Sequence, residues 1–328
     1  MRRRALLALA GAASLAGPRL ALAQGQMKRI GVLMPNAESD PESIDLGAVF
    51  RQSMQELGWI GGRTARIDYR WGGGDQGRIN NLAQQMVAGS PDVIFAGGYP
   101  AVAPLKRATS TIPIIFISVS DPIGSGFVQS LAHPGGNLTG FTSFEPSMGG
   151  KWLDLLKQVA PGVRRASVLY NPATAPYTNL FLDALKPVAP NYGVKITAAA
   201  VHDEGEIESV AASLEPGGDA SLLVPSDAFT LTHAQPVIAA AARHRLPAVY
   251  AFGVFAAGGG LMSYGIDLAD QMRQAAKYVD RILSGTSPAD LPVQQPTRFD
   301  LLINLKSATS LGLTVPPALL ASATEVIE

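Results

Sequence analysis

Cysteine is absent from all 328 residues. Its absence removes a disulfide framework, a thiol nucleophile, a thiolate-ligated metal and a lipid-modified cysteine anchor. Charge is also sparse, at 16% of residues, with 26 basic side chains against 26 acidic ones. Such a balance lacks the basic excess that draws proteins to nucleic acid. Long apolar runs are missing too. The run from Ala5 to Ala16 is interrupted by Gly11 and ended by Gly17-Pro18, short of the roughly 20 residues that span a bilayer. Arg2, Arg3 and Arg4 precede it and Ala21-Leu22-Ala23 follows, the form of an export signal cleaved after about Ala23. The arginines and following leucines leave both the general and the twin-arginine export routes open. Removing residues 1–23 takes away four arginines and no acid, so the expected mature chain carries a charge near −4, with no direct membrane anchor and no nucleic-acid partner.

What remains is 47% apolar and long enough for about two domains. From Lys28 onward, short apolar runs alternate with amphipathic stretches, the rhythm of βα units around parallel sheets. Arg29 to Met34, Ile67 to Tyr69, Val93 to Ala96 and Ile114 to Ile117 are predicted strands. Leu46, Phe50, Met54 and Leu57 share a helical face that Gly58 ends, and Ile79 to Ala88 and Ala101 to Ala108 are further helices. Gly135-Gly136-Asn137-Leu138-Thr139-Gly140 has no periodicity and reads as a hinge turn. The rhythm then restarts with a helix carrying Trp152, Leu155, Leu156 and Val159. Ser167 to Tyr170, Val194 to Ala199, Ser221 to Val224 and Ala248 to Tyr250 are its strands. Leu261 to Tyr264 is followed by a long helix with Leu268, Met272, Ala275, Val279 and Ile282 on one face, and Pro292 to Asn304 is extended. The expected fold class is therefore α/β, with two doubly wound Rossmann-like lobes joined by several hinge crossovers. Lobe 1 is expected over 27–140 plus about 266–288, and lobe 2 over 141–265 plus about 289–328.

Gly72-Gly73-Gly74-Asp75-Gln76-Gly77 fits G-x-G-x-x-G, but it follows the second strand rather than the first, and Asp92 begins a strand where a ribose-binding acid would end one. A turn before a helix is the better reading. His133, His202, His233 and His244 have no spacing that puts two ligands on one face. No G-x-S-x-G elbow surrounds any serine. The sequence thus proposes no catalysis, metal or cofactor. Open α/β sheets bind ligands at the carboxyl ends of their strands. Those ends carry Asn36; Gly97, Gly98 and Tyr99; and Ser118, Ser120 and Asp121 in the first lobe. Tyr170 and Asn171, Ser226 and Asp227, and Tyr250 and Phe252 stand at the equivalent places in the second. Each is also a turn former or helix cap, so structure and ligand contact are both open for any one of them. Together they make a candidate inter-lobe site, with Gly97 and Gly98 baring amides suited to a carboxylate and Tyr99, Phe229, Tyr250, Phe252 and Tyr264 offering stacking faces.

Several runs together carry a likeness to a known family. They are Lys28-Arg29-Ile30-Gly31-Val32-Leu33, Gly97-Gly98, Ala108-Thr109-Ser110-Thr111-Ile112-Pro113-Ile114, Ser120-Asp121-Pro122, Gly136-Asn137-Leu138-Thr139-Gly140, Tyr170-Asn171-Pro172 and Ile303-Asn304-Leu305-Lys306. The chain resembles an ABC-transporter substrate-binding family with a type I periplasmic-binding fold, over nearly its whole mature length. The resemblance implies a periplasmic, non-enzymatic receptor that closes over a small-molecule solute and hands it to an ABC permease and ATPase complex. The alternative is a ligand-sensing subunit for a signalling receptor. Some relatives bind aromatic amino acids, and by the same likeness Asp227 suits a ligand ammonium, although the Asp-Asn pair of tryptophan-binding relatives is Asp227-Ala228 here. The glycines at 135, 136, 140 and 265 are expected to permit hinge rotation.

Overall fold

The structure, a computed structural model, describes residues 27–143, 148–214 and 218–328. The expected export signal lies outside the described residues. The first lobe is built from β1 (Lys28–Met34), α1 (Pro41–Glu56), β2 (Ala65–Trp71), α2 (Gln76–Ala88), β3 (Val93–Gly97), α3 (Gly98–Ala108), β4 (Ile114–Val119) and β5 (Leu138–Thr142). Its strands run in the order β2-β1-β3-β4-β5, all parallel. A parallel sheet is covered on both faces, and side-chain alternation serves each face separately. Ile30, Val32, Val93 and Phe95 pack with Phe50 and Met54 of α1 on one side. Leu33, Ile94 and Ala96 pack with α2 and α3 on the other.

The second lobe follows with α4 (Met148–Val159), β6 (Arg165–Tyr170), α5 (Thr178–Leu185), β7 (Lys195–Ala200), α6 (Glu204–Leu214), β8 (Ala220–Val224), α7 (Ala228–Thr232), α8 (Ala234–Arg243), β9 (Ala248–Tyr250), α9 (Gly253–Ala257) and β10 (Met262–Ile266). Next come α10 (Leu268–Leu283), β11 (Phe299–Asn304), α11 (Leu305–Ser310), α12 (Pro317–Ser322) and β12 (Glu325–Ile327). The second sheet runs β12-β11-β10-β9-β8-β6-β7. It is not wholly parallel, because β11 returns antiparallel to β10. Trp152 anchors its core, buried edge-on to Phe181 with its indole N–H donating to the Tyr264 carbonyl at 2.9 Å.

The apolar stripe of α10, Met272, Ala275, Val279 and Ile282, packs in the first lobe beside Phe50 and Phe95. The chain thus changes lobes between Thr142 and Met148, again at Asp267, and a third time between Gln294 and Phe299. Leu291 and Val293 also pack in the first lobe's clusters, so the last crossing comes later than residue 288.

Two expected hinge elements have other structural roles. The turn read at Gly135 to Gly140 is in part the buried edge strand β5, and Asn137 is a 7% exposed side chain whose amide donates to the carbonyl of Ile112 at 2.8 Å. Gly140 is required there by close approach, since a Cβ would lie 2.0 Å from the Phe116 carbonyl oxygen. Gly265 sits inside β10, where a Cβ would lie 1.7 Å from the Ala251 oxygen. The glycine-rich run at 72–77 makes the turn into α2, with the Asp75 carboxylate accepting from the Arg78 N–H at 2.7 Å.

Candidate functional site

In a doubly wound sheet the crevice opens where strand order reverses, beyond the carboxyl ends of the strands. In the first lobe that point lies between β1 and β3, and in the second between β6 and β8. The two crevices face each other across one narrow cleft that is partly open to solvent. Of the expected contacts, Asn36, Gly97, Gly98, Tyr99, Ser118, Ser226, Asp227 and Phe252 line it.

The local reasons for these positions differ. Gly97 ends β3 where a Cβ would press 2.8 Å from the Met34 methyl, and Gly98 holds φ +67°, a conformation that favours glycine. Together they open α3 with no side-chain cap, leaving first-turn amides free of intrahelical partners. Tyr99 stacks on Phe127 at 5.7 Å between ring centres, which fixes its plane beside the cleft. Ser118 is one of three non-glycine residues at positive φ among those described, at +54°. Its N–H donates to Gln271 Oε1 at 3.2 Å, while Gln271 Nε2 donates to the Thr142 carbonyl at 2.7 Å. That strained corner is therefore tied to α10 and β5.

Asp227 is 1% exposed, and its carboxylate accepts from the Asn171 N–H at 2.9 Å, the Phe229 N–H at 3.0 Å and the Thr174 hydroxyl. Burial raises its pKa, and these hydrogen bonds pull the other way. A carboxylate has about four acceptor positions, so little of Asp227 is left for a ligand. It is first the cap of α7 and the anchor of the Asn171 turn.

Five expected contacts lie outside the cleft wall. Tyr250 is fully buried in the second lobe's core, stacked on Phe255 at 4.6 Å, because its strand position turns it inward. Tyr170 packs against the same core. Asn171 Oδ1 accepts from the Ala173 N–H at 2.8 Å and closes a turn. Asp121 does the same with the Gly124 N–H at 2.8 Å. Ser120 belongs to a hydroxyl chain linking the lobes: its Oγ lies 3.1 Å from Ser143 Oγ, which accepts from Ser226 Oγ at 3.2 Å. Tyr177 extends the chain by donating to the Ser226 carbonyl at 2.9 Å, and burial pushes its phenol pKa up. Phe229 lies tilted against His233, and Tyr264 stacks on Phe299.

The sequence reading missed Glu42, which lines the cleft from the first turn of α1. Burial, then the nearby Asp40 and Asp45, push its carboxyl up to about 7. An acid after Pro41 at a helix start is ordinary on its face, and only the placement of α1 against the cleft marks it out. Tyr177, Leu231 and Leu268 were missed for the same reason. No group of three potential metal ligands occurs among the described residues.

Two α/β lobes with three crossings and an inter-lobe cleft define the type I periplasmic-binding architecture of solute-binding proteins. Residues 43–327 match the family described as ABC transporter substrate binding protein. The chain belongs to that family, a family of solute-binding proteins and not of enzymes. Among its relatives, the "Tyrosine-binding protein" of Clostridioides difficile strain R20291 is 25% identical over 264 residues, spanning 80% of this chain and 75% of that one. An ABC domain in complex with L-Trp from Streptococcus pneumonia superimposes with a TM-score of 0.85 at 27% identity, covering 92% of this chain and all of that one. The ligand-free, open structure of a substrate-binding protein with adhesive properties from Clostridium difficile gives a TM-score of 0.68 at 26% identity, over 92% and 99%. At nearly equal identity, the lobe arrangement here resembles the L-Trp complex more than the open form.

Proposed function

We propose that this chain is the periplasmic receptor of an ABC importer, exported by its N-terminal signal and closing its lobes over an amino acid with an aromatic side chain. One observation carries the ligand reading: one cleft is lined by the uncapped start of α3 and by two carboxyl groups, Glu42 and Asp227, within a mostly apolar wall. A helix N-terminus favours a carboxylate, and carboxyl groups favour an ammonium. An α-amino acid presents both. Asp227 has little free acceptor capacity, so Glu42 is the better-placed partner for the ammonium. Met34, Pro35, Leu46, Ile117, Leu231 and Phe252 supply the apolar remainder, suited to a flat hydrocarbon body. The tyrosine-binding and L-Trp-bound relatives support the same class. Membership of the family supports delivery to a permease and ATPase complex.

Titration calorimetry with the twenty amino acids, pentoses and hexoses tests the reading. Binding is expected for aromatic L-amino acids and not for sugars. Sugar binding without aromatic amino-acid binding would overturn it.

A further inference from the structure

Ser118 holds its φ of +54° inside a strand. Ser90 and Arg245, the other described non-glycine residues at positive φ, stand just past the ends of α2 and α8, where a left-handed residue commonly stops a helix. No helix ends at Ser118. The pairing of β4 with β5 shifts register between Phe116 and Val119, so Ser118 lies in a bulge, and both it and Ile117 line the cleft. Bulges gather beside functional sites, where they re-aim a side chain. A left-handed backbone costs free energy in any residue with a Cβ, and it persists only where the surroundings enforce it.

The enforcing contact comes from α10. Gln271, at the start of that helix, is buried. Its Oε1 accepts from the Ser118 N–H at 3.2 Å and lies 3.4 Å from the Ser118 hydroxyl, while its Nε2 donates to the Thr142 carbonyl at 2.7 Å. Both ends of the carboxamide are used, and it cannot turn over without setting donor against donor and acceptor against acceptor. Thr142 in turn donates its N–H to the Gln294 carbonyl at 2.9 Å. The bonds therefore run from the cleft wall to backbone beside all three lobe crossings, at Thr142, at the start of α10 and at Gln294. Gln271 itself does not line the cleft, so its effect on a solute passes through Ser118.

We infer that Gln271 is a positioning residue for solute binding: its carboxamide holds Ser118 in the left-handed conformation that gives this wall of the cleft its binding shape. The inference rests on the cleft being the solute site, and not on the solute being an amino acid. Without the carboxamide the Ser118 backbone relaxes toward the extended region. A solute must then select the minor form of the wall, which lowers the apparent affinity in proportion to the fraction populated. Glycine adopts positive φ without a steric penalty, so Ser118→Gly should lessen the need for the carboxamide.

The test is a double-mutant cycle read by calorimetry, with melting curves as a fold control and every titration run well below the melting transition. The probes are L-tyrosine and L-tryptophan, then the remaining amino acids, pentoses and hexoses, and the first that binds the unaltered protein is used throughout. Gln271→Met keeps the side-chain length and a good helix former while removing both hydrogen bonds. It should weaken binding by about tenfold in the unaltered background and by no more than about threefold in the Ser118→Gly background. A residue that only stabilised the fold would lower the melting temperature in both backgrounds and leave both dissociation constants in place. An affinity loss equal in the two backgrounds, or none in either, would overturn the inference and leave the cleft reading standing. If Gln271→Met does not fold, Gln271→Asn, one methylene too short to span Ser118 and Thr142, carries the same cycle. Binding of a sugar in place of an amino acid would overturn the ligand reading, and the cycle run with that sugar would still decide this inference. Binding of none of these probes would overturn both.

Discussion

Replacing Glu42 by Gln should stabilise the protein at alkaline pH and do nothing at acid pH. The carboxyl lies in the first turn of α1, where burial and the charges of Asp40 and Asp45 push it from 4.5 to about 7. Asp40 is held nearby, accepting from the Ala37 N–H at 2.9 Å, and Asp227 faces the same cleft from the second lobe. Because the folded state keeps a proton that the unfolded chain releases, folding stability falls as pH rises from 4.5 to 7, and the whole penalty is present above 7. At about 1.4 kcal/mol for each pH unit the ceiling is about 3 kcal/mol. The side chain is only partly buried by surface area, and solvent screening reduces that to about 1–2 kcal/mol. The helix N-terminus favours the charged form by less than about 1 kcal/mol, so the penalty wins. Urea unfolding of both proteins at pH 4, 5.5, 7 and 8 should show the Gln variant ahead by about 1–2 kcal/mol at pH 8, with the gap closing by pH 4. A gap that is the same at every pH would refute the reasoning. A ligand ammonium beside Glu42 favours its charged form, so affinity in the unaltered protein should rise between pH 5 and 8, and less so in the variant.

Other outcomes follow from the same geometry. Asp227→Ala strips the acceptor from two backbone amides and the Thr174 hydroxyl, so it should lose about 2 kcal/mol or more in urea unfolding; unchanged stability would show the network to be unimportant. Gly265→Ala places a methyl 1.7 Å from the Ala251 oxygen, and soluble expression with a normal melting temperature would contradict that packing. Ser226→Ala removes the hydroxyl that donates to Ser143, so the ligand-free variant should show a larger radius of gyration in small-angle scattering than the unaltered protein, and equal radii would exclude a latching role.

The sequence by itself determined the repeating units, because strands and helices announce themselves through local periodicity. Ile30, Val32 and Leu33 alternate between two apolar faces, and Met272, Ala275, Val279 and Ile282 recur at helical spacing. It also placed the candidate cleft at the strand ends, since Gly97-Gly98 and Ser226-Asp227 interrupt apolar runs with groups that a parallel sheet does not need. It hid β5, whose glycines and Asn137 read as a turn until Phe116 came within 2.0 Å of the Gly140 position. It gave Tyr250 and Phe252 the same standing, although one is core and the other lines the cleft. Nor did it mark Glu42, which reads as an ordinary helix start. Only the tertiary structure decided which of these side chains meet, because that depends on how α1 crosses the first sheet and how the second lobe is set opposite it. The cleft is lined by residues as far apart in sequence as Glu42 and Asp227, and no local pattern records that.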